Sequence, residues 1–231
     1  MRVVRIATLL GLLLAAPAFA VEPPYLTAKQ LDLTIMLPPP PAKGSALEAA
    51  ELAEVVAAQK AASPARIALA AKDAEEDVFT MFTATLGEAF VADNVPVARV
   101  FFARVGDSED ETVDPAKKVF GRVRPWMTSG EVKVLGPSTK SGSWPSGHTT
   151  RVTMEAIVLA AMVPEKKDAI WARAAEYAQS RVIIGMHYPL DLEAGRRAGT
   201  AMAAVMFADA AFRADFDKAK ADVRRALGMA K

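Results

Sequence analysis

The chain has no cysteine and only two histidines among its 231 residues. Without thiols there is no disulfide framework, no thiolate nucleophile and no cysteine-held metal, so the fold must be held by a hydrophobic core. Net charge is equally scarce. The 28 Lys and Arg against 27 Asp and Glu leave +1, which removes the electrostatic case for nucleic acid or an anionic membrane surface as a partner. Period-2 alternation of apolar residues is nearly absent, which argues against sheets. Beyond the first twenty residues no apolar run nears the ~20 residues of a membrane span. The longest uncharged part of the apolar helix that follows His148, Ala156 to Val163, is far shorter. His148 and His187 are therefore the only histidines available for proton transfer near neutrality.

Residues 1–20 have the form of a secretory leader. Arg2 and Arg5 precede an apolar run from Ile6 to Ala16, and Ala18-Phe19-Ala20 is a small-x-small cleavage site. Cleavage before Val21 leaves 211 residues, enough for one domain, and takes the formal charge from +1 to −1. A disulfide-free exported chain is placed most simply in a bacterial periplasm. Residues 21–44 are expected to be extended, because Pro38-Pro39-Pro40-Pro41 excludes both helix and sheet ladders. With so little chain ahead of it, this segment reads as a strap lying on the domain.

Residues 45–231 read as one all-α helical domain. Ser45 with Glu48 forms a capping-box pattern and Ser63-Pro64 restarts a helix. Val78, Phe79, Phe82 and Leu86 recur at helical spacing, as do Val97, Val100, Phe101 and Val105. Asp114-Pro115 is expected to open a fresh helix, with Lys117 and Arg124 two turns apart on one face. Pro125 biases Arg124 out of helical geometry, sending its side chain toward the Ser-, Gly- and Pro-rich loop from Pro137 to Gly147. Helices follow from His148 to Val163, stopped by Pro164, from Glu165 to about Ile184, stopped by Gly185, and from Pro189 past Met206. No internal repeat is present.

Both histidines sit in company that suits catalysis. Pro145-Ser146-Gly147-His148 joins a loop to a helix start, where free backbone N–H groups and the helix dipole favour an anion. Downstream, Pro189 favours the first helical position, so Asp191 lands one turn past His187 and can accept from its Nδ1–H. That leaves Nε2 unprotonated and facing outward, as a nucleophile or a base. Each feature alone has a plainer reading: Ser146 as an N-cap, Asp191 as a helix-start carboxylate, Lys117 and Arg181 as solvated charges. The combination discriminates: three cations, a loop-to-helix amide site, two imidazoles and an orienting carboxylate together suit catalysis at an anion site. A metal centre fits less well, because two histidines lack a third ligand at zinc spacing and the cations would repel a metal.

In order, Lys117, Arg124-Pro125, Pro145-Ser146-Gly147-His148, Ser180-Arg181, His187 and Asp191 resemble the three-part signature of the type 2 phosphatidic acid phosphatase (PAP2) superfamily. That superfamily includes the vanadium haloperoxidases and the bacterial class A non-specific acid phosphatases. The LPPPPAKGS, SGSWPSGHT and SRVIIG stretches resemble the class A acid phosphatases in particular, across nearly the whole chain after the leader. Two departures stand out. Ile184 occupies a position where that class commonly has a disulfide cysteine, and His187-Tyr188-Pro189-Leu190-Asp191 is closer to the wording of the superfamily's lipid-phosphate branch.

The resemblance implies a single-domain helical bundle and a phosphomonoester hydrolase acting without metal or cofactor. His187 would form a phosphohistidine, Asp191 would orient it, and His148 would protonate the leaving oxygen. Lys117, Arg124, Ser146, Gly147 and Arg181 would hold the phosphoryl oxygens. Small phosphomonoesters are the expected substrates, mildly acidic pH the expected optimum, and a homo-oligomer the expected assembly. The alternatives are a periplasmic lipid-phosphate or diphosphate phosphatase, a haloperoxidase using the same cradle for vanadate, and a phosphate-binding protein. The last would have no use for two histidines and Asp191.

Overall fold

A computed structural model describes residues 22–230; the expected leader, residues 1–20, lies outside them. The described residues contain no strand and ten α-helices: α1 (Leu33–Met36), α2 (Ala46–Ala61), α3 (Pro64–Lys72), α4 (Val78–Leu86), α5 (Pro96–Phe120), α6 (Pro125–Thr128), α7 (Gly147–Met162), α8 (Lys167–Ile183), α9 (Pro189–Ala208) and α10 (Ala210–Ala226). The all-α expectation holds. Most helix starts carry the cap that the sequence advertises. Ser45, Ser63, Asp77, Ser146 and Asp209 each accept from a backbone N–H in the first turn. Glu48 completes its box one residue early, accepting from Gly44 N–H at 2.7 Å.

The bundle is built around α7. This helix is apolar or small on nearly every face, so it has no solvent side to keep, and it packs against α9, α8, α5, α4 and α10. Its buried threonines need no outside partner, because Thr150 and Thr153 donate to the carbonyls of Ser146 and Thr149, one turn back, at 2.9 and 2.7 Å. The closest neighbour is α9. A Cβ on Gly195 would lie 2.7 Å from the Ser146 carbonyl, and one on Gly199 would lie 2.5 Å from the Thr150 carbonyl. Two hydrogens in place of side chains therefore let α9 touch the α7 backbone and bring its N-terminus beside Ser146.

Two expectations about α5 fail. No helix begins at Asp114-Pro115; α5 runs unbroken from Pro96 through Pro115 to Phe120. Proline in a helix interior leaves the carbonyl four residues back without its donor, and here that carbonyl, on Glu111, accepts from Ala28 N–H of the N-terminal segment at 3.3 Å. The orphan is satisfied by tertiary contact, which local sequence does not reveal. Nor do Lys117 and Arg124 share a helix face. α5 stops at Phe120 because Gly121 turns left-handed (φ 59°), and Arg124 follows in extended backbone. The last apolar stretch also divides: α9 ends at Ala208 and Asp209 caps a separate α10.

Ahead of α2, the N-terminal segment lies on the bundle. Leu26, Leu33 and Leu37 are buried in the main core. Pro38 to Pro41 line a cavity of about 230 Å³ together with Trp144 and Leu190. The expected extended run is interrupted by one turn of helix, α1, capped by Asp32.

Candidate active site

The start of α9 fixes His187. Tyr188 is the N-cap residue, Pro189 the first helical position and Asp191 the third. Asp191 Oδ2 accepts from the Tyr188 amide at 2.9 Å and lies 3.2 Å from His187 Nδ1. On the other edge of the ring, Nε2 is 3.1 Å from Arg124 Nη1. A guanidinium can only donate, so Nε2 must be the accepting nitrogen and Nδ1 must carry the proton. The expected tautomer follows from the partners alone. Burial, with Arg124, Arg181, His148 and Lys117 in that order, holds the His187 pKa well below its ordinary value, which keeps Nε2 unprotonated; its lone pair must leave Arg124 before it can attack.

The three cations reach the same place from three elements, and α7 adds its N-terminus. Arg124, at the N-cap of α6, sends its side chain to the loop as expected. It donates to the Ser141 and Gly142 carbonyls at 2.8 and 3.2 Å, and to the Met186 carbonyl at 2.9 Å. Burial and Arg181 together push its pKa down to about 10. Arg181, on the last turns of α8, is 3% exposed, and its Nε and Nη1 find no acceptor among the described residues. Lys117, on α5, makes an ion pair with Asp114 at 3.2 Å, and its Nζ lies 2.8 Å from where a Cβ on Gly147 would stand. Glu109 Oε1 is 2.7 Å from the same point, so only glycine leaves both side chains in place. Ser146 is buried and caps α7, accepting from the Thr149 amide and hydroxyl at 3.3 and 2.9 Å. Its own amide donates to the Asp191 carbonyl at 3.1 Å, which ties the two motifs together.

His148 departs from the picture of a free proton donor. Its Nδ1 lies 2.6 Å from Glu76 Oε1 and its Nε2 3.1 Å from the Ala74 carbonyl. Both partners accept, so this is the geometry of the protonated ring, with one bond to exchange before a leaving oxygen can take the proton. Burial and Arg181 lower the His148 pKa, against Glu76 and the Ala74 carbonyl. Burial alone would raise Glu76, yet its bond to His148 and the charges of His148, Arg151 and Lys117 bring it down to about 2.

Sequence reasoning missed several residues of the site. Glu76 lies 72 positions before His148 in a stretch with no motif. Arg122 falls inside the Lys117–Arg124 spacing, and it contacts Asp191 at 2.6 Å and Glu51 of α2 at 2.5 Å. Only its two-residue offset from Arg124 could have drawn notice. Glu109 is buried beside Lys117, and burial pushes its carboxyl up to about 8 despite that lysine. The Tyr188 ring is buried beneath the Arg122 guanidinium, 3.8 Å away, and its hydroxyl donates to Thr128. The His-Tyr-Pro wording therefore acts behind His187 rather than on a substrate. Ile184 is fully buried against Ala70, Ile183 and Met186, so apolar packing occupies the place of the class's disulfide. Among the described residues, no helix is long and apolar enough to cross a membrane and no three acidic or histidine side chains gather to hold a metal ion.

Comparison with known proteins adds the following. The sequence model of the PAP2 superfamily matches residues 100–214. A non-specific acid phosphatase of Providencia stuartii is 30% identical over 230 residues, covering 91% of this chain and 93% of its own length. An acid phosphatase of Zymomonas mobilis is 28% identical over 205 residues, covering 84% of this chain and 76% of that protein. Among solved structures, a transmembrane PAP2-type phosphatidylglycerolphosphate phosphatase from Bacillus subtilis is 18% identical, with a TM-score of 0.49 over 71% of this chain and 85% of that one.

Proposed function

The chain belongs to the PAP2 superfamily, and from that premise we propose that it is a non-specific acid phosphatase, hydrolysing phosphomonoesters through transfer of the phosphoryl group to His187 Nε2. One observation carries this reading: a lone pair fixed on Nε2 by Asp191 and Arg124, at the buried meeting point of three cations. The phosphoryl oxygens take the places facing Arg181 Nε and Nη1, Lys117 Nζ and the amides at the start of α7. The ester bridges toward His148.

In the first step Nε2 attacks phosphorus, the P–O bond to the alcohol breaks, and His148 gives its proton to the departing oxygen. Asp191 holds Nδ1–H and balances the positive charge that develops on the ring. Neutral His148 then takes a proton from water as that water attacks phosphorus. The P–N bond breaks, inorganic phosphate leaves, and both histidines return to their starting charge. The cations match the extra negative charge of the trigonal-bipyramidal transition state. Export to the periplasm and self-association belong to the same proposal, motivated by the leader and the resemblance; cell fractionation and sedimentation test them.

The central experiment measures phosphate release from p-nitrophenyl phosphate, nucleotides and a soluble lipid phosphate, with phosphoenzyme trapped from ³²P-labelled substrate. Broad turnover is expected, with protein-bound label that survives an alkaline quench and is lost in acid, and lipid-only turnover would replace the reading with a lipid-phosphate phosphatase. His187→Ala should abolish the label. His148→Ala should still form it from substrates with good leaving groups, and label surviving in the first variant would reverse the two roles.

A further inference from the structure

The Nδ1 side of His187 opens onto a run of buried charges that none of the steps above uses. Asp191 Oδ1 accepts from Arg122 Nη1 at 2.6 Å, Arg122 Nη2 donates to Glu51 Oε2 at 2.5 Å, and Glu51 Oε1 accepts from the Leu190 amide at 2.8 Å. All three charged side chains are at most 3% exposed. The run joins α2, the turn between α5 and α6, and the first turn of α9.

Resting on the phosphatase reading above, we propose that Arg122 and Glu51 are positioning residues for the nucleophile: Arg122 keeps Asp191 ionised with Oδ2 turned to His187, and Glu51 holds Arg122 and the start of α9 in register. A carboxyl sealed from water favours its neutral form; burial pushes the Asp191 carboxyl up, and the Arg122 charge and hydrogen bond pull it back down. A neutral Asp191 would no longer balance the charge on a phosphorylated imidazole. Arg122 supplies the opposing charge from one edge of a planar fork, while its other nitrogen is taken by Glu51. A lysine ammonium cannot serve two carboxylates in that plane. A purely structural role is a poor account of the run, because buried ion pairs add little net stability over apolar side chains of the same volume.

The groups facing Asp191 make the sign of each effect specific. Arg122 and, more distantly, Arg124 are positive, Glu51 is negative, His187 is the partner, and α7 contributes only the Ser146 amide to the Asp191 backbone carbonyl. Arg122 lowers the proton affinity of the coupled His187–Asp191 pair, and Glu51 raises it. The acid limb of the pH–rate profile belongs to that pair. Removing Arg122 should therefore move the acid limb to higher pH, and removing the charge of Glu51 should move it to lower pH.

The test uses the full chain carrying Arg122→Lys, Arg122→Gln or Glu51→Gln, with folding verified by circular dichroism. It reads kcat, KM and the pH profile on p-nitrophenyl phosphate, inhibition by inorganic phosphate, and the His187 Nδ1–H proton resonance. Arg122→Lys should lower kcat roughly 10- to 100-fold, as loss of an orienting partner does elsewhere. Phosphate inhibition should change less than about threefold, because Lys117, Arg124 and Arg181 are untouched. The two glutamine variants should shift the acid limb in opposite directions. If Arg122→Gln does not fold, Arg122→Lys and Glu51→Gln decide. Wild-type kcat with an unmoved acid limb in Arg122→Lys, or an unmoved or upward-shifted limb in Glu51→Gln, overturns the proposal. If the wild-type protein hydrolyses no phosphomonoester, the phosphatase reading fails by itself. Positioning is then read from the Nδ1–H resonance, which should move upfield in Arg122→Lys and would refute the role by staying in place.

Discussion

Arg181 should be worth more to catalysis than to the fold, and its replacement by methionine separates the two. The side chain is almost fully buried, and its Nε and Nη1 donors find no acceptor among the described residues. A buried donor left unpaired costs about 1–3 kcal/mol. Methionine fills similar space without those donors, so at the low end Arg181→Met should stabilise the substrate-free protein by about 2 kcal/mol. For a domain of this size that is a rise in Tm of about 4–8 °C. The same donors facing phosphoryl oxygens would make two charge-assisted bonds of about 1.5–3 kcal/mol each. Their loss should lower kcat/KM by about 10²- to 10⁴-fold. Calorimetry with and without inorganic phosphate completes the assay, because phosphate at a hundred times its Kd should stabilise the wild-type protein by about 2.7 kcal/mol and the variant by far less. An Arg181→Met protein that melts lower than wild type, or keeps the full phosphate-induced shift, would refute the reasoning.

Other perturbations test the frame and the proton inventory. Gly199→Ala places a methyl 2.5 Å from the Thr150 carbonyl, so urea unfolding should show a loss of about 1–3 kcal/mol from overpacking. Activity should fall with it, because α9 carries His187 and Asp191. Glu76→Gln removes a group that raises the His148 pKa, while burial and Arg181 continue to lower it. The protonated ring is then lost at lower pH, so the alkaline limb of kcat should move further into the acid range with the acid limb in place. A shift toward alkaline pH would mean that His148 is not the proton donor.

Much of the site was legible because its first contacts are local. His187 and Asp191 lie four apart across a helix start that Pro189 announces, so their bond follows from spacing alone. Pro125 forces Arg124 into extended backbone, and its side chain meets the loop that composition marks out. What was not legible is set by contacts between distant segments. Pro115 reads as a helix start because the rule against interior proline concerns an unpaired carbonyl, and nothing local says that Ala28 will supply the donor. Arg122 and Glu51 are 71 residues apart, and Glu76 reaches His148 across 72; in each case an ordinary surface charge on the page becomes a buried partner in the fold. Gly195 and Gly199 are of the same kind, since a glycine in a helix reads as a weakness until a second helix is pressed against it. The pattern has a physical cause. Residues that touch a phosphoryl group are constrained in identity by its chemistry and form a recognisable set. Residues that hold those in place are constrained only by what the fold happens to bring near, and any carboxylate or glycine at the right place in space will do.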